Sequence, residues 1–248
     1  MEHIIIANWK SNPDSVIKAR GVFSGILKLN KNLKNKKIVI CPPYPYLFLG
    51  DKLKSPKIFL GAQNTFIDTE GSFTGEVKAE MLKSMNVKYV IVGHSERRKI
   101  GDSDEYISKQ ITTILKNKLI PILCVGEIKR DHDGHYLSFV KNQIVNDLSG
   151  INKNSIKNII IAYEPVWAIG KGAVREATGE EFTEMKIYIR KVLSDLYGAN
   201  IAKSVKIFYG GSVKKDNAKI FIDSGADGLL IGRDSLDVKK IEAIIKSF

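Results

Sequence analysis

NIIIAYEPVWAIGKG, residues 158–172, contains a strand and the place to which it leads. Ile159, Ile160, Ile161, Ala162 and Tyr163 form a run without polar alternation, the pattern of a strand covered on both faces. The run stops at a carboxylate, Glu164. Pro165 and Trp167 stiffen the chain just beyond it, and Gly170 and Gly172 loosen the loop after them. A parallel strand that delivers an acid to its C-terminal tip places that acid where α/β sheets gather their ligands.

Seven more runs share this character: 4–8, 37–41, 58–63, 88–94, 120–126, 205–211 and 227–232. Between them the apolar residues recur at helical spacing. Phe182, Met185, Ile189, Val192, Leu193 and Leu196 form one stripe; Ile107, Ile111, Ile114 and Leu115 form a second; Val238, Ile241 and Ile245 form a third. Strand and helix therefore alternate, which implies a parallel sheet. The 248 residues leave about 30 for each of eight units. No linker interrupts the series, and the polar stretch at 129–135 reads as a loop. The expected architecture is α/β, a single-domain (β/α)8 barrel over residues 1–248. An open doubly wound sheet is the alternative, but no GxGxxG follows the first strand.

Composition narrows the function class. Apolar residues make up 44% and charged residues 27%, which excludes a disordered chain. No apolar run approaches the roughly 20 residues of a membrane span, and no signal-peptide pattern opens the sequence. Cys41 and Cys124 are not spaced as metal ligands, so a reducing cytoplasm is expected. The net charge of +12 is spread over many segments. It reads as a solvated basic surface, with no nucleic-acid footprint and no membrane partner. Such a field can still help to collect an anionic metabolite.

In a parallel barrel every strand delivers its last residues to one rim. There stand Asn8, with Trp9 and Lys10 after it; His94, followed by Ser95 and Glu96; Glu164; Gly210, Gly211 and Ser212; and Gly232. A carboxylate can move a proton, and an imidazole, an ammonium and an amide can steady the resulting charge. Glycine-bearing loops let backbone N–H groups approach a phosphate. SERR after His94 is read as the opening of a short helix, whose positive end favours a neutral ring.

Asn8-Trp9-Lys10, Gly93-His94-Ser95-Glu96-Arg97-Arg98, Ala162-Tyr163-Glu164-Pro165-Val166-Trp167-Ala168-Ile169-Gly170 and Tyr209-Gly210-Gly211-Ser212-Val213 resemble, in order along nearly the whole chain, the motifs of the triosephosphate isomerase family. The resemblance implies the TIM-barrel fold. It also implies a cofactor-free isomerase that interconverts dihydroxyacetone phosphate and glyceraldehyde 3-phosphate in glycolysis and gluconeogenesis. Glu164 is then the base, and His94, Lys10 and Asn8 stabilise the enediolate. Glu96 either shuttles a proton or holds Asn8 and Lys10. Gly170, Gly211, Ser212, Gly232 and Arg233 bind the phosphate together with Lys10 and Asn8. No metal is implied.

Two departures from the family pattern stand out. Arg233 follows Gly232 where many relatives carry a second glycine. The lid after Gly170 is about two residues longer, and Gly179 replaces the proline that opens the next helix. If Thr178 caps that helix, Gly179 is its first residue, a position where proline fits and would stabilise. The 63–76 loop resembles the one that inserts Thr74 into a partner subunit near the partner's Asn8 and Lys10, so a homodimer is expected. A sugar-phosphate aldolase is the rival enzyme, but it would need a Schiff-base lysine pointing inward from a strand, and none of the eight runs places a lysine in its interior. A non-catalytic basic barrel leaves the shared rim unexplained.

Overall fold

Each apolar run becomes a strand with neighbours on both faces. The computed structural model describes residues 2–51, 53–67 and 71–248. Its strands are β1 (His3–Asn8), β2 (Lys36–Cys41), β3 (Ile58–Ala62), β4 (Val87–Val92), β5 (Ile120–Val125), β6 (Ile160–Tyr163), β7 (Lys206–Tyr209) and β8 (Gly228–Ile231). They pair in parallel and in sequence order, and β8 returns to β1 with Ala7 opposite Ile231, which closes the barrel. Inside lie Ile6, Val39, Ile91, Ile122, Ala162, Phe208 and Leu230. The alternate residues, such as Ile5, Ile40 and Ile161, face the helices in a second cluster. Two cores, one on each side of a single sheet, are why the runs show no polar alternation.

The helices are α1 (Val16–Lys28), α2 (Ala79–Ser84), α3 (Ser95–Lys99), α4 (Asp104–Lys116), α5 (His135–Asp147), α6 (Gly179–Tyr197), α7 (Ala199–Ser204), α8 (Lys215–Asp223) and α9 (Val238–Lys246). The stripes predicted for α4, α6 and α9 are buried at Ile107, Ile111 and Ile114, at Phe182, Met185, Ile189, Val192 and Leu193, and at Ile241 and Ile245. Leu196 departs from its stripe and is exposed. Between β2 and β3 a 3-10 helix, Tyr44–Gly50, replaces an α-helix. Pro43 and Pro45 lack the N–H groups that a regular first turn would offer. No helix among the described residues is long and apolar enough to cross a membrane.

The strands stop earlier than the apolar runs. The expected ends at 63, 94, 126, 164, 211 and 232 lie past the last paired residues, Ala62, Val92, Val125, Tyr163, Tyr209 and Ile231. Gly93 shows the reason. Its φ of +67° turns the chain off the sheet. An added Cβ there would lie 3.0 Å from Cys124 O. Apart from Asn8, the last residue of β1, the polar residues at the rim therefore sit on the turns just beyond the strands.

Candidate active site

Glu164 is held before its side chain does anything. Its N–H donates to Val125 O at 2.8 Å, which carries the ladder one residue past β6. Gly126 allows that approach, because a Cβ there would fall 1.8 Å from Glu164 O. On the other flank, a Cβ on Gly210 would stand 3.0 Å from Glu164 Cγ. The carboxylate thus lies in a slot between two glycines and is 2% exposed. Ser95 N–H donates to Oε2 at 3.3 Å. Oε1 lies 3.2 Å from His94 Nε2 but has no aligned hydrogen-bond donor. Cys124 packs close by, fully buried, and burial followed by the nearby Glu164 charge pushes its thiol far up. A thiol so held stays protonated and serves as packing. The slot role of Gly126 could not be read from the sequence, where it ends an apolar run like any turn glycine.

His94 caps α3. Its Nδ1 accepts the Glu96 N–H at 3.2 Å. A nitrogen that accepts carries no proton, which puts the ring proton on Nε2, the atom facing Glu164. The short helix expected after His94 is present, and it supplies that N–H.

Lys10 has φ +53°, an uncommon conformation for a side-chain-bearing residue. Three groups hold it. Asn8 Oδ1 accepts its N–H at 3.0 Å. Gln63 Nε2 donates to its carbonyl at 2.8 Å and to Cys41 O at 2.9 Å. Glu96 Oε1 meets its ammonium at 2.6 Å. Burial works to raise the Glu96 carboxyl, but the Lys10 ammonium and His94 outweigh it and hold it below its ordinary value. Gln63 was missed in the sequence, where it only opened the loop after β3.

One cavity of about 810 Å³ collects these groups. Lys10, His94, Glu96 and Glu164 line it, and so do Gly170, Gly211, Ser212, Gly232 and Arg233. Asn8 does not line it; this residue is buried beneath Lys10. The Ser212 hydroxyl donates to Ala168 O at 2.8 Å, so it is tied to the loop after β6. Arg233 is exposed at the cavity mouth. Among the described residues, no group of three or more His, Cys, Asp or Glu side chains is placed to hold a metal.

The loop after β6 arches over this cavity between two braced ends. At the first, Trp167 Nε1 donates to Glu127 Oε1 at 2.7 Å, and Tyr163 OH donates to the same oxygen at 2.8 Å. At the second, Val174 N–H returns to Trp167 O at 2.8 Å, and the Arg175 guanidinium lies 4.5 Å from the Trp167 ring centre. Arg175 also pairs with Glu181 at 2.5 Å, and Glu176 pairs with Lys214 at 2.5 Å. Thr178 caps α6 in a full capping box with Glu181, and Gly179 is the first helical residue, as read. The expectation that proline would stabilise position 179 is overturned. A Cβ there would stand 2.5 Å from Ser224 Oγ and 3.0 Å from Ile220 Cγ2. Glycine is present because α6 starts against the end of α8.

The triosephosphate isomerase family model matches residues 3–248. The chain is 40% identical over 248 residues to the triosephosphate isomerase of Dictyoglomus thermophilum, covering 98% of each chain. It is 41% identical over 252 residues to that of Aquifex aeolicus, covering 100% of each. It is also 41% identical over 246 residues to that of Carboxydothermus hydrogenoformans, covering 98% of this chain and 97% of the relative.

Proposed function

The chain belongs to the triosephosphate isomerase family, and we propose that Glu164 is the carboxylate that carries the proton of its reaction. The protein is an intramolecular aldose–ketose isomerase that interconverts dihydroxyacetone phosphate and D-glyceraldehyde 3-phosphate. The observation that carries the assignment is the buried Glu164 Oε1, without an aligned donor and 3.2 Å from His94 Nε2. A carboxylate oxygen with an unused lone pair is ready to accept a proton.

Glu164 removes the proton from the carbon beside the substrate carbonyl. The C–H electron pair becomes the enediolate double bond, and the carbonyl electrons move onto oxygen. His94 Nε2–H and the Lys10 ammonium stabilise that oxyanion. The hydroxyl proton of the enediolate passes to the former carbonyl oxygen, which becomes the new hydroxyl. As Glu164 returns its proton to the neighbouring carbon, the freed oxygen closes to the new carbonyl, so no atom is gained or lost and no cofactor is consumed. Asn8, Gln63 and Glu96 act on Lys10, fixing its backbone and its ammonium; for Glu96 this is the holding role rather than the shuttle. Backbone N–H groups of Gly170, Gly211, Ser212, Gly232 and Arg233 receive the phosphate. The braced loop after β6 is the lid that excludes water during the transfer.

We further place the chain, as one domain, in a cytoplasmic homodimer serving glycolysis and gluconeogenesis. The family, the two buried free cysteines and the exposed residues 71–76 of the 63–76 loop support this setting. Residues 68–70 of that loop lie outside the described residues. A coupled assay with glyceraldehyde 3-phosphate tests the reading: turnover by the wild type and its loss in Glu164→Gln are expected. Equal turnover in the two proteins would reject Glu164 as the base.

A further inference from the structure

The lysines look scattered along the sequence, but their scatter has the period of the fold. In a closed parallel barrel every helix-to-strand turn returns to the same end, opposite the active-site mouth. Those turns and strand starts carry Lys37 in β2, Lys57 before β3, Lys88 in β4, Lys118 before β5, Lys157 before β6 and Lys206 in β7. Spacing by one βα unit in sequence becomes a ring in space. The acids at that end are outnumbered and mostly engaged. Asp227 accepts the Ile207 N–H at 2.8 Å, Glu2 is paired with Lys37 at 2.6 Å, and Asp51 closes the 3-10 helix after β2. Asp195, Asp223 and Glu242, near the ends of α6, α8 and α9, are each paired with a lysine of their own helix.

The mouth is different. Its cavity is lined by Lys10, Lys99, Lys214 and Arg233, and equally by Glu96, Glu164, Glu176 and Asp234. The net charge of +12 therefore does not arise at the site. Lysines in last helical turns, such as Lys116 and Lys203, complement helix dipoles. Of the six, only Lys157 stands in such a turn, that of the 3-10 helix Lys153–Asn158; the other five have no such local reason.

We propose that this end of the barrel is a docking face for a membrane surface rich in anionic lipid. The ring is set around the barrel axis, so a plane can meet all of its lysines together, whereas a nucleic-acid duplex would touch only those along one line. The six are all lysine, a point charge without the fork that reads phosphate or base geometry. A single strand would need open aromatic faces to stack on. Phe59 is half-buried and already faces the ammonium groups of Lys88 at 4.6 Å and Lys37 at 5.9 Å. None of the exposed large apolar side chains among the described residues lies on these turns. The attachment is then electrostatic and reversible, without insertion, and it leaves the mouth open to solvent. It does not depend on the assignment of Glu164.

The test is co-sedimentation of the full chain with phosphatidylcholine vesicles, with and without phosphatidylglycerol, at low and high salt. Binding is expected only with the anionic lipid and only at low salt. The triple variant Lys88→Glu, Lys118→Glu, Lys157→Glu replaces three exposed lysines on this face. At about fivefold for each lysine lost, it should bind about 100-fold more weakly with kcat and KM unchanged. A charge-matched control, Lys129→Glu, Lys215→Glu, Lys239→Glu, alters exposed lysines on mouth-side loops and helix starts and should keep binding. Equal loss in both triple variants would make net charge the cause and overturn the face. Failure to bind anionic vesicles at low salt, or capture of duplex RNA in their place, would overturn it as well.

Discussion

At Glu164 one carboxylate oxygen is engaged by Ser95 N–H and the other has no aligned donor. Glu164→Gln keeps the volume and removes the basicity. The slot between Gly126 and Gly210 should hold the amide in place, so kcat should fall by at least about 10³-fold while circular dichroism and melting stay near wild type. Retention of a tenth of wild-type turnover by the folded variant would reject the role. Lys10 faces both proposed charges, the phosphate and the oxyanion. Lys10→Met should therefore lower kcat and raise KM together, and steady-state kinetics with unchanged constants would reduce it to a rim lysine. These residues were legible in the sequence because each follows directly on a strand, where chain order alone predicts the rim. Gly126 and Gln63 were not. Their importance lies in which distant atom they meet, Glu164 O for one and Lys10 O for the other, and a linear pattern does not contain that pairing.

Among the elements, strands were easier to read than their ends, and the lid was read in outline only. Two-sided burial produces unbroken apolar runs, so all eight strands were visible. Their stops depend on backbone turns such as Gly93, which an apolar run does not register. The start of α6 gives the sharpest contrast. Thr178 announced a cap, and the cap is there, completed by Glu181. Nothing local announced Ser224 and Ile220 against Gly179. Gly179→Pro should therefore destabilise, by about 1–3 kcal/mol as overpacking does, and a higher melting temperature would refute the crowding. The first lid brace yields a pH prediction. Burial, the largest influence, raises the Glu127 carboxyl above its ordinary 4.5 despite hydrogen bonds from Trp167 and Tyr163. A raised acid binds its proton more tightly in the native state than in the unfolded one. Its contribution is complete below the unfolded value and is lost as pH rises through the folded one. Glu127→Gln keeps an acceptor for Trp167 and should flatten this loss of melting temperature on going from acidic to neutral pH. An unchanged slope would show that Glu127 does not titrate in that window.

For the whole molecule, sequence reading treated the charge of +12 as scatter, because a list of lysines has no ends or faces until the barrel closes. Its position also weakens the idea that the field gathers substrate, since the mouth itself is lined by equal numbers of basic and acidic residues. The proposed homodimer is the other matter at this scale. The 63–76 loop is firmly based: Phe66 N–H meets Val77 O at 2.9 Å, and Gln110 Nε2 meets Thr65 O at 2.7 Å. Beyond that base, Phe73 packs on Phe66 with ring centres 4.6 Å apart and is still 45% exposed, while Thr74 beside it is exposed too. An aromatic ring presented to water at this position carries an unmet burial, which a second copy would meet. The same loop begins with Gln63, which fixes the backbone of Lys10, so anything that seats the loop also steadies the left-handed Lys10. Assembly and catalysis should then fail together. The wild type should sediment as a dimer of the 27.7 kDa chain. The double variant Phe73→Asp, Thr74→Arg should sediment as a folded monomer, with kcat reduced at least about tenfold through a looser Lys10. A monomeric variant with wild-type kcat would separate the two and show that the site is complete in a single chain.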